Sequence, residues 1–148
     1  MNCTLIFPNN LFEDKSFFDK NSKVFVFQDP LFFNDEKYPI KFNKKKILMH
    51  LLSTEKYQMD LINSGYDSEL INFYDLNGKE YIENFFKKYK IKSVNLFEII
   101  DFEQKKRFVK QAKKSNVDLI WTENPMFMLS KNEVKQEFSE KKKFLMAN

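Results

Sequence analysis

The sequence contains one cysteine, Cys3, and one histidine, His50, among its 148 residues. An intrachain disulfide is therefore excluded, which is typical of a protein in the reducing cytoplasm. A zinc site made of cysteine and histidine is also excluded, because such a site needs about four ligands. Cys3 stands in an apolar strand pattern, where a thiol is usually inert, so a catalytic Cys3–His50 pair is not expected.

Glycine is almost as scarce, since the chain has only Gly65 and Gly78. A dinucleotide-binding fingerprint and a P-loop both need glycines where the backbone approaches phosphate. The turn after the first predicted strand instead reads FPNNLFED (7–14). We find no nucleophile elbow and no other catalytic constellation in the sequence.

Long apolar runs are missing too, because no run approaches the ~20 residues of a membrane span. The N-terminus, MNCTLIFPNN, does not resemble a signal peptide. The formal net charge of +4 permits an anionic ligand or nucleic acid without requiring either. We attribute the 18 phenylalanines to core composition, and the length predicts a single domain over 1–148.

Short apolar runs alternate with amphipathic runs along the chain. Strands are predicted at 3–7, 23–29, 69–75, 91–99 and 117–124, and helices at 43–64, 78–90, 102–115 and 131–143. This alternation predicts an α/β fold with a five-stranded parallel sheet and helices on both faces, a Rossmann-like arrangement. Ligands of such sheets bind beyond the carboxyl ends of the strands, so we expect a site lined by 8–12, 28–33 and 122–128.

The stretch QDPLFFNDEKYPIKFNKKKILMHLL (28–52) allows two interpretations throughout. Asp29 either caps the turn before Pro30, which is favoured, or accepts a hydrogen bond from a ligand. Residues 31–33, Leu-Phe-Phe, either plug the core, again favoured, or wall a flat ligand. Three lysines at 44–46 open a helix, where its positive dipole end disfavours cations, so they indicate either a nearby anion or a solvated face. His50 is interpreted first as a core or boundary residue and second as a ligand contact.

Several segments resemble the N-terminal domain of the deoxyribodipyrimidine photolyase-related proteins. They are LIFPNNLFED, VFVFQDPLFF and KYPIKFNKKKILMHLLSTEKY, and WTENPMFMLSKNEVKQEF resembles the end of that domain. This family is the bacterial branch of the cryptochrome and photolyase family that includes (6-4) photolyases with an iron–sulfur cluster. The resemblance implies a Rossmann-like domain that holds an antenna chromophore, of lumazine or flavin type, at the strand tips. The antenna would pass excitation to FAD in a second, helical domain.

By position, the resemblance places several residues of this chain around the chromophore. They are Phe7, Pro8, Asn9, Asn10, Gln28, Asp29, Pro30, Glu36 and His50. Asn9 and Asn10 stand where relatives often carry an acidic residue and a glutamine, so the identity of the chromophore is not specified.

The helical FAD-binding domain and the iron–sulfur cluster of full-length relatives have no counterpart in these 148 residues, and one cysteine cannot hold a cluster that needs four. The chain alone is therefore not expected to repair DNA. Two alternatives stay open: an N-terminal piece of a split or truncated gene, or a standalone domain that acts with a separately encoded FAD-binding domain. We expect the chain to reach DNA only through such a partner and to have no membrane partner.

Two other functions stay open at this stage. The first is a non-catalytic interaction module that docks such a partner through an apolar surface and a tail containing Phe138, Phe144, Leu145 and Met146. The second is a weak nucleic-acid binder that uses the basic predicted helix, with Lys105, Lys106, Arg107, Lys110, Lys113 and Lys114.

Overall fold

The short apolar runs form strands and the amphipathic runs form helices, as seen in a computed structural model that describes residues 1–138. The strands are β1 (Asn2–Ile6), β2 (Lys23–Phe27), β3 (Ser68–Ile71), β4 (Ser93–Phe97) and β5 (Asp118–Thr122). The helices are α1 (Lys44–Asn63), α2 (Tyr81–Lys88), α3 (Phe102–Ser115) and α4 (Lys131–Phe138). Single turns of 3-10 helix occur at Pro30–Phe32 and Phe73–Asp75.

All strand pairs are parallel, and the strand order is β3-β2-β1-β4-β5. The chain winds outward from β1 to β3, then crosses to the other side of β1 and continues through β4 to β5. The winding therefore reverses between β1 and β4, which is where an open parallel sheet forms a crevice at its carboxyl edge. The prediction of a five-stranded parallel α/β fold is confirmed.

The inner strands are buried on both faces, as their near-continuous apolar sequences require. Leu5 and Phe25 are register partners on one face, Ile6 and Val26 are partners on the other, and all four have no solvent exposure. Helices α2 and α3 cover the first face, in a cluster that includes Phe85, Phe86, Phe108 and Ala112. Helix α1 and the connection 7–22 cover the second face, in a cluster that includes Phe18, Tyr57, Leu61 and Phe97.

The two longest helices, α1 and α3, begin and end at residues that favour helix caps. The Asn43 side chain accepts a hydrogen bond from the backbone N–H of Lys45 and caps α1. Gly65 follows α1 with φ +83°, a left-handed conformation that glycine adopts without strain. Asp101 caps α3 by accepting from the N–H of Gln104, and Asn116 ends α3 with φ +53°.

The predicted element bounds lie within three residues of the observed ones except at two places. The third predicted strand was too long, because 72–75 leaves the sheet and forms the 3-10 turn Phe73–Asp75. The last helix is described only to Phe138, so the rest of its predicted span lies outside the described residues, together with Phe144, Leu145 and Met146.

Candidate functional site

A cleft of about 500 Å³ lies at the carboxyl edge of the sheet, where the loops after β1, β2 and β4 meet. Its lining consists of Asn9, Leu31, Phe32, Ile100, Asp101, Phe102 and Gln104. Most of the wall is aliphatic or aromatic, and a few polar groups interrupt it. Both its location and its composition are typical of a site for a small organic ligand.

The β1 loop supplies polar atoms that the protein itself does not satisfy. Asn9 lines the cleft, and the Oδ1 atoms of Asn9 and Asn10 are buried without a hydrogen-bond partner in residues 1–138. A buried acceptor without a donor costs about 1–3 kcal/mol, so such atoms are unusual in a finished core. Phe7, by contrast, is a core residue, with its ring edge-on to Phe27 and Phe108. Pro8 is buried beside it in the chain.

Asp29 lies beneath the cleft and is fully buried. Its carboxylate accepts hydrogen bonds from the Leu31 N–H (3.0 Å), the Tyr81 hydroxyl (3.2 Å) and Gln104 Nε2 (3.1 Å). Burial raises the pKa of Asp29 to about 6, and these hydrogen bonds hold it from rising further. Asp29 thus caps the 3-10 turn that begins at Pro30, and it joins that turn to α2 and α3.

The loop after β4 and the start of helix α3 provide cleft residues that were not predicted from the sequence. Ile100, Asp101 and Phe102 follow β4, and Gln104 bridges the cleft wall to Asp29. Residues 122–128 were predicted as the third lining segment, but residues of 100–104 line the cleft instead. The reason is the strand order, which puts β4 next to β1 and leaves β5 at the sheet edge.

Gln28 and His50 lie on the α1 side of the Pro30–Phe32 turn. Gln28 Nε2 donates to Thr54 Oγ1 (2.8 Å), and Gln28 Oε1 accepts from the Phe73 N–H (3.3 Å), so its amide is used by the protein. His50 is buried against the rings of Phe32 and Phe33 at centroid distances of 5.7 and 5.9 Å.

Neither nitrogen of His50 has a hydrogen-bond partner in residues 1–138. Burial, helped by the charge of Lys46, lowers its pKa, so the imidazole is neutral at pH 7. Phe32 both lines the cleft and contacts His50, so its ring lies between the cleft and the unpaired imidazole nitrogens.

Glu36 belongs to a different groove, of about 610 Å³, between the loops after β2 and β3 and helix α3. Its Oε1 accepts from the Gly78 N–H at 3.4 Å. Arg107 forms a two-pronged ion pair with Asp35 in the same groove and fastens the β2 loop to α3. The predicted site residues therefore fall into several groups. Asn9 lines the cleft, Asn10 follows it in the chain, and Asp29 lies beneath it. Gln28 and His50 lie behind Phe32, and Pro30 and Glu36 line the second groove.

The lysines at 44–46 are exposed at the start of α1, and Lys46 lies over the Phe42 ring at 4.8 Å. They line neither groove at the carboxyl edge. An anion near them in the cleft is therefore not indicated by the geometry.

Residues 1–138 present neither a metal-binding cluster nor an activated thiol. In residues 1–138, three or more His, Cys, Asp or Glu side chains nowhere come together in a way that could hold a metal ion. Burial raises the pKa of the Cys3 thiol to about 12, so it is not a nucleophile at neutral pH. None of the helices in this range combines the length and the apolar character needed to cross a membrane.

The fold and the cleft define a class: an open, parallel α/β domain with a ligand crevice at the point where the winding reverses. A family model, deoxyribodipyrimidine photo-lyase-related protein, matches residues 4–148, and the chain belongs to this family. The chain is also 30% identical over 144 residues to Uncharacterized protein R852 of Acanthamoeba polyphaga mimivirus. That alignment covers 91% of this chain and 70% of the viral protein.

Proposed function

We propose that this chain is an antenna-chromophore-binding domain that holds a flat heteroaromatic ring in the cleft between the β1, β2 and β4 loops. In this proposal residues 1–148 perform no catalysis themselves, and a helical FAD-binding domain receives the excitation. The observation that carries the proposal is the cleft itself, which combines apolar walls with a buried, unsatisfied acceptor at the reversal of the sheet. Membership of the photolyase-related family supports the choice of ligand class.

The walls suit a planar apolar ring. Phe32 and Phe102 are the aromatic residues of the lining, with Leu31 and Ile100 as aliphatic neighbours. Rings of this kind gain from stacked or edge contacts with aromatic side chains. A volume of about 500 Å³ falls within the range of small-ligand pockets, ~300–1,000 Å³.

The polar groups suit a ligand that brings N–H or O–H donors. Asn9 Oδ1 lacks a donor, and the Asp101 carboxylate at the rim uses one oxygen to cap α3. The ring imide and the ribityl hydroxyls of a lumazine or flavin are such donors. When bound, the chromophore would absorb near-ultraviolet or blue light and pass the excitation to the partner's flavin.

The same residues do not suit a dinucleotide. The β1 turn has no glycine to admit a pyrophosphate, and Pro8 and Asn10 are buried there. FAD and the iron–sulfur cluster accordingly belong to the partner domain in this proposal, and the chain residues serve to position a smaller chromophore.

Incubation with a ribityl lumazine or riboflavin, followed by gel filtration, tests the proposal. We expect absorbance between about 350 and 450 nm to elute with the wild-type protein, because apolar pockets exclude water from flat rings. Phe102→Glu is expected to abolish this, since it removes a ring that is 77% exposed at the cleft and adds a charge without disturbing the core.

Phe127→Glu is the matched control, since Phe127 is 58% exposed on the loop after β5 and lies outside the cleft. It should retain the wild-type absorbance. The proposal is contradicted if neither compound elutes with the wild-type protein, or if Phe102→Glu and Phe127→Glu lose it equally.

A second function, docking of a helical FAD-binding domain, is favoured by the loop after β5. Four large apolar residues follow one another there with at least half of each exposed: Met126, Phe127, Met128 and Leu129. Runs of this kind on a surface mark interaction sites. Co-elution with the helical domain of a photolyase-related protein should then be lost in Phe127→Glu and kept in Phe102→Glu; the reverse would contradict it.

The basic face of α3 gives less support to nucleic-acid binding. Of its six basic residues, Lys105, Arg107 and Lys114 form ion pairs with carboxylates of the chain. Charges already neutralised in this way contribute little to phosphate binding.

A further inference from the structure

The outward face of α1 carries large apolar side chains between its charged residues, from the second turn to the last. Its large apolar side chains, each 49–57% exposed, are Leu48, Met49, Leu52, Met59 and Ile62. We call these five residues the α1 stripe. The outward face of α3 carries Lys106, Lys110 and Lys113 together with Val109. The α1 stripe is therefore richer in apolar side chains than the outward face of α3.

The spacing of the stripe matches that of a helix-pairing seam. Leu48, Leu52, Met59 and Ile62 follow one another with Glu55 in the middle, at alternating steps of four and three residues. Such spacing keeps side chains on one line along a helix that packs against another helix. Helix α1 has 20 residues, which corresponds to a seam of about 30 Å.

We propose that the α1 stripe is a self-association surface, and that its occupant is α1 of a second copy of this chain in antiparallel orientation. The two-fold axis lies between Glu55 and Lys56. In this register Leu52 faces Met59 of the second copy, and Met49 faces Ile62 of the second copy. This surface is remote from the cleft in its residues, and the inference does not depend on the proposed function.

The central charge explains why the occupant is a copy of the chain. Glu55 is exposed and has no ion pair in residues 1–138, although it interrupts an apolar line. Across the two-fold axis it faces Lys56 of the second copy, and the symmetry repeats this contact. Lys56 also pairs with Asp60 of its own helix, but this pair is exposed to solvent and leaves the ammonium accessible to a second carboxylate. A charge at the middle of a seam fixes orientation and register in this way.

The helix ends are complementary in the same register. The amino-terminal lysines at 44–46 of one copy lie beside the carboxyl end of the other helix, where the helix dipole is negative. This arrangement gives a role to three cations that are poorly placed in an isolated helix.

An anionic membrane is the competing occupant, because lysines flank an apolar face. The second half of α1 disfavours it, since Glu55 and Asp60 would be placed against anionic headgroups while lysines occur mainly at the first turn. The apolar area of the stripe is smaller than that of a standard stable interface, ~800 Å² per partner. The dimer is therefore expected to depend on protein concentration.

Sedimentation velocity of the full chain from about 5 to about 300 µM tests the proposal, over a range suited to a weak interface. We expect the weight-average mass to rise from 18.0 kDa toward twice that value. Leu52→Lys should hold it at the monomer mass at every concentration. Val109→Lys is the matched control, since Val109 is 46% exposed on α3, and it should behave like the wild type.

A charge exchange tests the register. Glu55→Lys places like charges opposite each other twice and should weaken association at least tenfold, whereas the double variant Glu55→Lys/Lys56→Glu should recover it. Thermal unfolding by circular dichroism checks that each variant is folded. A wild type that stays monomeric at the highest concentration overturns the proposal, whether or not it binds phosphatidylserine vesicles. A dimer that survives Leu52→Lys, or a double variant that does not recover, overturns it as well.

Discussion

At the scale of single residues, the Asp29 carboxylate links the β2 loop to helices α2 and α3 by hydrogen bonds at the carboxyl edge of the sheet. Its hydrogen bond to Leu31 is local and follows from the preference of Asp for the position before a turn. Its bonds to Tyr81 and Gln104 connect residues 52 and 75 positions apart, so no local pattern could predict them. The capping role was thus readable from the sequence, whereas the burial and the raised pKa were not.

The raised pKa makes stability depend on pH in a definite direction. The pKa of Asp29 is about 6 in the folded protein and near its ordinary value, about 4, when unfolded. Between these values the folded state binds the extra proton, so this contribution is present below pH 4 and is lost as the pH rises to 6. We predict that the free energy of unfolding of the wild type falls by up to about 3 kcal/mol relative to Asp29→Asn over this range.

Urea unfolding of both proteins at pH 3.5 and pH 7.5 measures this difference. Asp118→Asn, which removes an exposed carboxylate at the start of β5, serves as the control. A wild-type-minus-variant difference that is the same at both pH values would show that Asp29 titrates normally.

At the scale of elements, the β2 loop is held against α3 by an ion pair. Arg107 and Asp35 have side chains that are only 14% and 5% exposed. Two parallel hydrogen bonds join them, and the hydrogen bond from Arg107 is the main reason why the pKa of Asp35 is lowered. Asp35 also accepts from the N–H groups of Lys37 and Tyr38, so the loop is fastened at several points.

We predict that Arg107→Ala lowers the free energy of unfolding by about 3 kcal/mol at pH 7, because it leaves a buried carboxylate without its partner. Lys105→Ala, which breaks a more exposed pair with Glu98, should cost less than about 1 kcal/mol. Urea unfolding at pH 7 compares the two variants.

The pH dependence of Arg107→Ala gives an internal check. A lowered pKa stabilises the fold above the unfolded value, about 4, and the benefit is lost as the pH falls through the folded value. The deficit of Arg107→Ala should therefore shrink at pH 3. If Arg107→Ala and Lys105→Ala lower the free energy of unfolding equally at pH 7, the stabilising role of the buried Arg107–Asp35 pair is refuted.

The sequence predicted most elements because each has a clear local signal. Asp101 before α3 and Gly65 after α1 mark helix ends that hydrogen bonds and φ angles confirm. The end of β3 was missed because 72–75, Asn-Phe-Tyr-Asp, contains aromatics that favour strands. There the Gln28 amide accepts the Phe73 N–H, a tertiary contact that draws the backbone out of the sheet.

At the scale of the whole molecule, the order of the strands decides where a ligand can bind. The alternation of strands and helices predicted a parallel sheet with two helical layers, but it did not predict which strands are neighbours. The β5 loop was therefore expected at the site, whereas the β4 loop is found there. The predictions for Asn9, Leu31 and Phe32 at the carboxyl edge were correct, because these residues follow β1 and β2, which are neighbours in the sheet.

The ligand proposal depends on this arrangement, since three loops distant in sequence enclose one cleft. Phe7, Gln28 and Asp29 are buried within the protein and support the loops around the cleft. Asn9, Ile100 and Phe102 line it directly. Ligand contact is thus expected from the second set, and substitutions in the first set are expected to act through stability.

Nitrogen-15 NMR of the labelled protein, titrated with a ribityl lumazine, shows whether the cleft binds the chromophore. We predict that chemical shifts change for the Asn9 side-chain amide and for backbone amides at Leu31, Phe32 and 100–104, while those of α1 and the loop 126–129 stay unchanged. Saturating ligand that changes no shifts, or changes them mainly in the groove of Glu36 and Lys110, would contradict it.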